Sequence, residues 1–233
     1  MKQQWAYPGR EMESMDFAVN YHRWILHTFR PWLGKRIVEV GAGTGSFSEM
    51  ILETKPESFT MLEPSANLYP RLVERLGRER AHQKTLPESV SALAGTDSVL
   101  YVNVLEHIED DKAELAAVHS MLASGGRVFI FVPANPWMMS DMDRLMGHHR
   151  RYALPELTLK CKAAGFDLRL AKYFDVAGIA PWWVKYRLMK STQMESGLVQ
   201  LYDGLVVPIM KVVEGLVSPP IGKSIILVGE KIR

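Results

Sequence analysis

Apolar and polar residues alternate with two different periods along the first 134 residues of the chain. Between residues 14 and 32, apolar residues recur at i, i+4, i+7 and i+8, which predicts an amphipathic helix. Short apolar runs and helical patterns then alternate from residue 36 to about residue 134, as a parallel α/β sheet requires. We therefore expect a lid helix within residues 1–34, packed on an α/β domain that occupies residues 35–233.

The pattern changes after residue 134. A helix is predicted near residues 155–164, ending at Gly165, and strands are predicted near residues 168–174 and 224–231. Residues 176–222, between these two strands, are too many for a plain hairpin connection. They carry a helical apolar stripe that we expect to be kinked at Pro208.

Composition limits the class of protein only broadly. With 47% hydrophobic residues and a net charge of +2, the chain can bury a substantial core, and no partner class is excluded. Cys161 is the single cysteine, so no intramolecular disulfide can form, and a reducing, cytoplasmic location is expected. The first residues lack the apolar segment of a secretory signal, and no run of about 18 uninterrupted apolar residues predicts a membrane span. The histidines are scattered, so no metal site is expected.

The most informative segment is V-E-V-G-A-G-T-G-S-F, residues 38–47. An apolar strand pattern runs into three glycines at alternate positions, and a helix pattern follows, which is typical of a loop that holds a nucleotide-like cofactor. The spacing is G-x-G-x-G rather than the G-x-G-x-x-G of a dinucleotide site. Glu39, inside the strand, suits a ligand that carries an ammonium and a sulfonium better than a pyrophosphate.

Three further motifs follow in order. Residues 59–64 read as a strand that ends in Glu63, 22 positions after Gly41, where an acid can accept hydrogen bonds from ribose hydroxyls. A strand near residues 97–103 runs into the polar segment N-V-L-E-H-I-E-D-D, and G-G-R-V-F-I-F-V-P reads as a turn followed by a buried strand.

Together these motifs resemble those of class I S-adenosylmethionine-dependent methyltransferases. The segments N-Y-H-R-W-I, G-H-H-R-R-Y and P-P-I-G-K-S extend the resemblance to a bacterial subgroup of small-molecule methyltransferases, similar to methyltransferase types 11 and 12. The resemblance implies a Rossmann-like, seven-stranded, mostly parallel sheet with helices on both faces. It also implies an N-terminal helix, a helical cap inserted at about residues 176–222 before the last strand, and S-adenosylmethionine as cofactor with S-adenosylhomocysteine as product.

The resemblance also implies which residues contact the cofactor. Glu39 would organise the methionine end, Glu63 the ribose, and Leu86 would lie where many relatives carry an aspartate near the adenine. His107 could equally brace the loop. The full predicted set is Glu39, Gly41, Ala42, Gly43, Gly45, Glu63, Pro64, Leu86, Asn103, Val104, Leu105 and His107.

The polar run from residue 143 to residue 152 supplies the candidates for acceptor chemistry. His148, His149 and Asp143 are candidate proton acceptors, because histidine titrates near neutral pH and a general base is needed only if the nucleophile must lose a proton. The predicted acceptor-binding residues are Tyr21, Trp137, Arg150, Arg151 and Tyr152. The alternative interpretation of residues 143–152 is a solvent-exposed basic turn in which Tyr152 packs against the core and anchors the turn.

The expected reaction is methyl transfer to a small-molecule acceptor by in-line displacement; whether the methyl reaches O, N or C is left open. Residues 141–190 contain ten Lys or Arg and five Asp or Glu, which would fit an anionic, lipid- or sugar-linked acceptor or a membrane surface, although a solvated lid face is favoured. No nucleic-acid-binding motif is present. A non-catalytic or membrane-peripheral S-adenosylmethionine-binding protein and a nicotinamide-dependent oxidoreductase remain as alternatives.

Overall fold

Seven strands form a single sheet in the computed structural model, which describes residues 6–9 and 12–232. The strand order is β3-β2-β1-β4-β5-β7-β6, and β7 runs antiparallel to both of its neighbours. The strands are β1 (Arg36–Val40), β2 (Ser58–Leu62), β3 (Ala81–His82), β4 (Thr96–Val102), β5 (Leu122–Pro133), β6 (Phe166–Phe174) and β7 (Ser224–Lys231). The predicted fold class, a mostly parallel seven-stranded sheet, is confirmed.

Helices cover both faces of this sheet. They are α1 (Met12–Met15), α2 (Val19–Phe29), α3 (Ser46–Leu52), α4 (Tyr69–Leu76), α5 (Asp111–Met121), α6 (Asp141–Leu145), α7 (Leu154–Ala163), α8 (Ile179–Trp182), α9 (Ser196–Leu201) and α10 (Val207–Leu216). Alternate residues of β1 point to opposite faces, so Ile37 joins the core under α2 and α3, whereas Val38 joins the core under α5 and α7.

The N-terminal lid helix predicted within residues 1–34 is two helices in the described residues, and residues 1–5, 10 and 11 lie outside that description. Ala18, just before α2, has a non-helical ψ of 51°, which separates α1 from α2. The Asp203 carboxylate, from the insertion, accepts hydrogen bonds from the backbone N–H groups of Asn20 and Tyr21 at 2.9 and 2.8 Å. These contacts satisfy free donors at the start of α2 and attach the insertion to it.

The predicted insertion contains α8, α9 and α10 together with two turns of π-helix, Trp183–Leu188 and Tyr202–Val206. The second π turn directly precedes Pro208, near the start of α10, which fits the predicted irregularity because proline cannot donate the helical hydrogen bond.

By length and composition alone, Ser196–Leu216 is the one helix among the described residues that could cross a membrane, with a mean hydropathy of 1.3 over its best window, of which 11% is buried. Asp203, Lys211 and Glu214 interrupt its apolar run, so the segment does not contain the unbroken run of about 18 apolar residues whose absence the sequence analysis noted.

Candidate active site

A cavity of about 980 Å³ opens at the carboxyl ends of β1, β2 and β4. Parallel α/β sheets bind ligands at this edge, since the loops that follow the strands diverge there. Its floor includes the glycine turn after β1, Glu63 after β2 and the loop after β4. Its roof comes from the insertion and includes Gly178, Pro181, Trp182, Lys185, Tyr186, Met194, Leu198, Val199, Leu201, Tyr202, Leu205 and Val206.

The glycine turn is held tightly between its neighbours. Gly41 and Ala42 both donate backbone hydrogen bonds to the carbonyl of Leu62, at 2.7 and 3.1 Å, which ties the end of β1 to the end of β2. Gly41 has a φ of +69°, and a Cβ there would lie 2.5 Å from the side chain of Val104. Both facts require glycine, and the resulting bare backbone is part of the cavity wall.

Glu63 is fixed in orientation by the glycine turn and the chain that follows it. Its Oε2 accepts a hydrogen bond from the backbone N–H of Gly43 at 2.7 Å, and its Oε1 accepts hydrogen bonds from the N–H and hydroxyl of Ser65. A carboxylate can accept about four hydrogen bonds and this buried acid already accepts three, so it keeps capacity for one further donor from the cavity, or for two if the hydroxyl of Ser65 turns away.

Glu39 is a buried carboxyl on the same cavity wall. The hydroxyl of Ser48, on α3, donates to its Oε2 at 2.5 Å. Burial raises the pKa of Glu39 to about 8, and the negative charge of Glu63 adds to the rise. At neutral pH this carboxyl is therefore mostly protonated, and a cationic group in the cavity would favour its ionised form.

Most of the residues predicted to bind the cofactor lie on the cavity: Glu39, Gly41, Ala42, Gly43, Glu63, Pro64, Leu86, Asn103, Val104 and His107. Gly45 and Leu105 do not. Gly45 begins α3 with a φ of +87°, and a Cβ there would meet Leu76. Leu105 is buried, and its carbonyl accepts a hydrogen bond from the hydroxyl of Tyr152. Both residues support the site from behind the wall.

Glu106 and His148, from distant parts of the chain, meet beside His107 on the cavity wall. Glu106 is fully buried, and neither carboxylate oxygen has a hydrogen-bond partner among the described residues. Burial raises the pKa of Glu106 to about 7, although His148 and Arg151 oppose the rise. Nε2 of His148 lies 3.9 Å from Glu106 Oε1, whereas burial lowers the pKa of His107 to about 3 and keeps that ring neutral.

The structure gives Asp143 a supporting position rather than one that faces an acceptor. It is fully buried, accepts hydrogen bonds from the N–H and hydroxyl of Ser140, and does not line the cavity. Its Oδ1 lies 3.1 Å from His148 Nδ1 and 2.8 Å from Nη2 of Arg151. Burial favours the neutral acid, but these partners hold the pKa of Asp143 well below its usual range, so it is a poor proton acceptor.

Four more predicted residues do not line the cavity. His149 is exposed, and its backbone N–H donates to the carbonyl of Glu106. Arg150 pairs with Asp111 at 2.9 Å, and the fully buried Tyr152 donates to the same carboxylate at 2.8 Å. These contacts brace the loop, as the alternative interpretation of the run proposed. Trp137 is 51% exposed on a 3₁₀ turn and does not line the cavity, so its contact with an acceptor stays a prediction.

Two predicted acceptor residues, Tyr21 and Arg151, do lie on the cavity. The Tyr21 ring packs edge-on against Phe131 and Phe174, and the ammonium of Lys223 lies 4.5 Å from its centroid. The guanidinium of Arg151 is paired with the buried Asp143, so it stabilises the loop and is not free to bind an anionic group of an acceptor.

Several cavity residues are not predicted by sequence reasoning, among them His22, Glu106 and Lys223. His22 and Lys223 fall inside N-Y-H-R-W-I and P-P-I-G-K-S, but neither motif indicates what its polar side chain does. Trp182 also lines the cavity, and with Trp183 and the basic residues 141–190 it fits the sequence-based expectation of an anionic, lipid-like acceptor. Burial lowers the pKa of His22 to about 4, and its Nδ1 has no hydrogen-bond partner in the described chain. Trp182 Nε1 is likewise unpartnered there, so polar atoms on two sides of the cavity are left for a ligand.

Comparison with known proteins gives one family. A family model described as a methyltransferase domain matches residues 18–171, which is more than half of the chain. An uncharacterised protein of Synechococcus is 37% identical over 112 residues, 45% of this chain and 27% of that protein. The ubiquinone biosynthesis O-methyltransferase of Aeromonas salmonicida is 26% identical over 190 residues, 73% of this chain and 78% of the relative.

The fold has many solved counterparts. The crystal structure of a SAM-dependent methyltransferase from Archaeoglobus fulgidus superimposes with a TM-score of 0.62 at 15% identity, covering 93% of this chain and 94% of that one. The aligned part of the chain spans only 27%, 60% and 42% of the lengths of three curated relatives.

Proposed function

Because the chain belongs to the methyltransferase domain family, we propose that it transfers a methyl group from S-adenosylmethionine to a small-molecule acceptor held beneath the insertion. One observation carries the proposal. A single cavity joins two buried carboxyls beside a glycine turn to the largely apolar roof of the insertion. The first half suits the cofactor, and the second half suits an acceptor with an apolar body.

The residues of the cavity wall fit the cofactor. S-adenosylmethionine, when bound, supplies a methyl group already activated by its sulfonium. Glu63 would accept hydrogen bonds from the ribose hydroxyls, since its orientation is fixed and it retains acceptor capacity. Glu39 would accept from the ammonium group, which offsets the cost of burying an ionised acid there. Leu86, buried on the wall, offers an apolar contact for the adenine.

The acceptor half explains what the protein contributes to the reaction. Trp182, Leu198, Leu201 and Leu205 extend over the cavity from the insertion and would align an apolar acceptor while excluding water. His148 is the one predicted proton acceptor that lines the cavity, and its Nε2 is turned away from its aspartate partner toward Glu106. It is therefore the candidate general base if the acceptor must lose a proton.

Calorimetric titration with S-adenosylmethionine, S-adenosylhomocysteine and NADH tests the first half of the proposal. We expect micromolar binding of both adenosyl ligands, at least tenfold weaker binding by Glu63→Ala, and no effect of Glu57→Ala, an exposed acid paired with Lys35. Binding of NADH alone would instead support the oxidoreductase alternative.

A transfer assay tests the second half. Radiolabelled methyl donor is supplied with phenols, amines and carboxylic acids, each in a short-chain and a long-chain form. An apolar acceptor would be supported if the wild type prefers the long-chain member of each pair and Trp182→Ala reduces that preference. Equal turnover of both members by the wild type and the variant would contradict it.

A second candidate is a membrane-peripheral protein, favoured by the exposed segment Ser196–Leu216. Ile209, Val212 and Leu216 are each more than half exposed and do not line the cavity, and Lys211 lies among them. Sedimentation with vesicles of phosphatidylglycerol or of phosphatidylcholine tests this, with Leu216→Glu as the variant. Cofactor binding and vesicle binding without transfer to any acceptor would favour the non-catalytic alternative.

A further inference from the structure

Three side chains of types that bind metal ions, one glutamate and two histidines, converge on the cavity wall. One ligand atom each from Glu106, His107 and His148 lies within 4.8 Å of the other two. The two imidazole rings are edge-to-face, with centroids 4.6 Å apart. All three residues line the cavity beside the loop that follows β4.

Glu106 is the observation that points to a ligand. It has no exposed surface, and both of its oxygens lack hydrogen-bond partners within residues 6–9 and 12–232. Burying an unpaired carboxylate costs several kcal/mol on an order-of-magnitude scale, and native proteins retain such a group mainly where something binds it. Nε2 of His148 lies 3.9 Å from Oε1 of Glu106, which is beyond hydrogen-bonding distance.

Both histidines are oriented from behind, as metal ligands are. Asp143 lies 3.1 Å from Nδ1 of His148, and because an ionised carboxylate only accepts, Nδ1 is the donor and Nε2 is the ring nitrogen that faces a ligand. The backbone of Gly147 forms a hydrogen bond with the His107 ring that favours protonation, as an accepting carbonyl does. A carboxylate or carbonyl behind each imidazole fixes its tautomer, which is the usual outer-shell arrangement of metal-bound histidine.

We propose that Glu106, His107 and His148 bind a divalent transition-metal ion, for which Zn²⁺ is the probe, at the acceptor end of the cavity. Two histidines and one glutamate form a donor set used by catalytic zinc sites, which leave a coordination position open. Small side-chain rotations bring donor atoms that are up to 4.8 Å apart onto one ion, since metal–ligand bonds of about 2.0–2.2 Å are required. The open position faces the cavity.

The role suggested for the ion in the reaction rests on the proposed function. The binding of the ion by the three side chains does not depend on it. An acceptor oxygen in the open position would be held in the cavity, and its hydroxyl proton would be lost more readily to solvent because the ion stabilises the oxyanion. The ion would then make a protein base unnecessary.

The test is metal binding by the full chain, measured without any acceptor. The protein is dialysed against EDTA and then against metal-free buffer, and is titrated with Zn²⁺ by calorimetry and with Co²⁺ by visible absorption. We expect one ion per chain, with cobalt absorption typical of nitrogen and oxygen ligands at low coordination number. Binding should weaken at least tenfold in Glu106→Gln and in His148→Gln, and should be unchanged in His149→Gln, the exposed neighbour.

Affinity for S-adenosylhomocysteine is measured on the same samples. Unchanged affinity in His148→Gln shows that the variant is folded and separates the metal proposal from the proposed function. Asp143→Asn should weaken Zn²⁺ binding roughly 10- to 100-fold, the range for outer-shell partners. A wild type that binds no Zn²⁺, or equal Zn²⁺ affinity in His148→Gln and His149→Gln, would overturn the proposal.

Discussion

Replacement of Glu39 by glutamine separates a functional acid from a structural one, because the two effects of the change have opposite signs. Burial raises the pKa of Glu39 from its ordinary value of 4.5 to about 8. A folded state that holds the proton more tightly than the unfolded state loses stability as pH rises between those two values. At about 1.4 kcal/mol per pH unit, the whole interval corresponds to an upper limit of about 5 kcal/mol.

Between pH 6 and pH 8 the linkage amounts to about 2 kcal/mol, which in a protein of this size is a shift of about 4–8 °C in Tm. Glutamine does not ionise, so Glu39→Gln without ligand should become progressively more stable than the wild type over that range. The measurement is the difference in Tm between the two proteins at each pH, since the other titrating groups then cancel. A difference that is independent of pH would refute the argument that burial keeps Glu39 protonated.

The same variant should bind S-adenosylmethionine more weakly. If the ammonium group ionises Glu39, the wild type must release a proton on binding at pH 7, and Glu39→Gln must not. Calorimetry in two buffers with different enthalpies of ionisation measures that proton directly. A variant that gains stability but loses both affinity and proton release identifies an acid retained for the ligand. Equal proton release by the wild type and Glu39→Gln would show that the released proton comes from another group.

Three further predictions follow from the site. Tyr152→Phe removes a hydroxyl that donates to Asp111, so it should lower the free energy of unfolding by about 1–3 kcal/mol. The affinity for S-adenosylhomocysteine should stay unchanged, and a fall in that affinity would show that Tyr152 contributes to the binding site. Asp143→Asn leaves Arg151 buried without a carboxylate and should cost about 3–5 kcal/mol in urea unfolding; a loss below 1 kcal/mol would show a weak ion pair. Asp203→Ala frees the start of α2 and should lower stability by about 1 kcal/mol, as an N-cap deletion does; an unchanged Tm would contradict that contact.

The fold and the side of the cavity that holds the glycine turn could be predicted because their determinants are local. A strand, a glycine turn and a helix fall within ten residues, and the turn requires glycine at Gly41 for conformation and for packing. The acid after β2 is predictable for the same reason, since parallel strands bring their carboxyl ends to one edge. The spacing along the chain therefore already encodes the position of Glu63.

The side of the cavity around Glu106 and His148 could not be predicted in this way, because its contacts join distant segments. Glu106 and His148 are far apart in sequence, and nothing in either local pattern indicates that they meet. Titratable residue type alone does not distinguish a buried support from a cavity residue. Asp143 and Tyr152 are buried supports, whereas Glu106, between Leu105 and His107, is a buried carboxyl on the cavity wall.

The two sides of the cavity also differ in how far the family model covers them, which indicates which part of the chain would select the acceptor. The family match ends at residue 171, whereas the roof of the cavity is built from residues 178–206, beyond that match. The part matched by the family model therefore contains the glycine turn, Glu39 and Glu63, and the part outside it contains most of the apolar surface of the cavity roof, which an acceptor would contact under the proposed function. Discrimination by an apolar pocket is worth only about 1–3 kcal/mol per methylene, so selectivity requires many such contacts or one polar anchor. The roof supplies many apolar contacts. Glu106, His107 and His148 lie where they could supply a polar anchor.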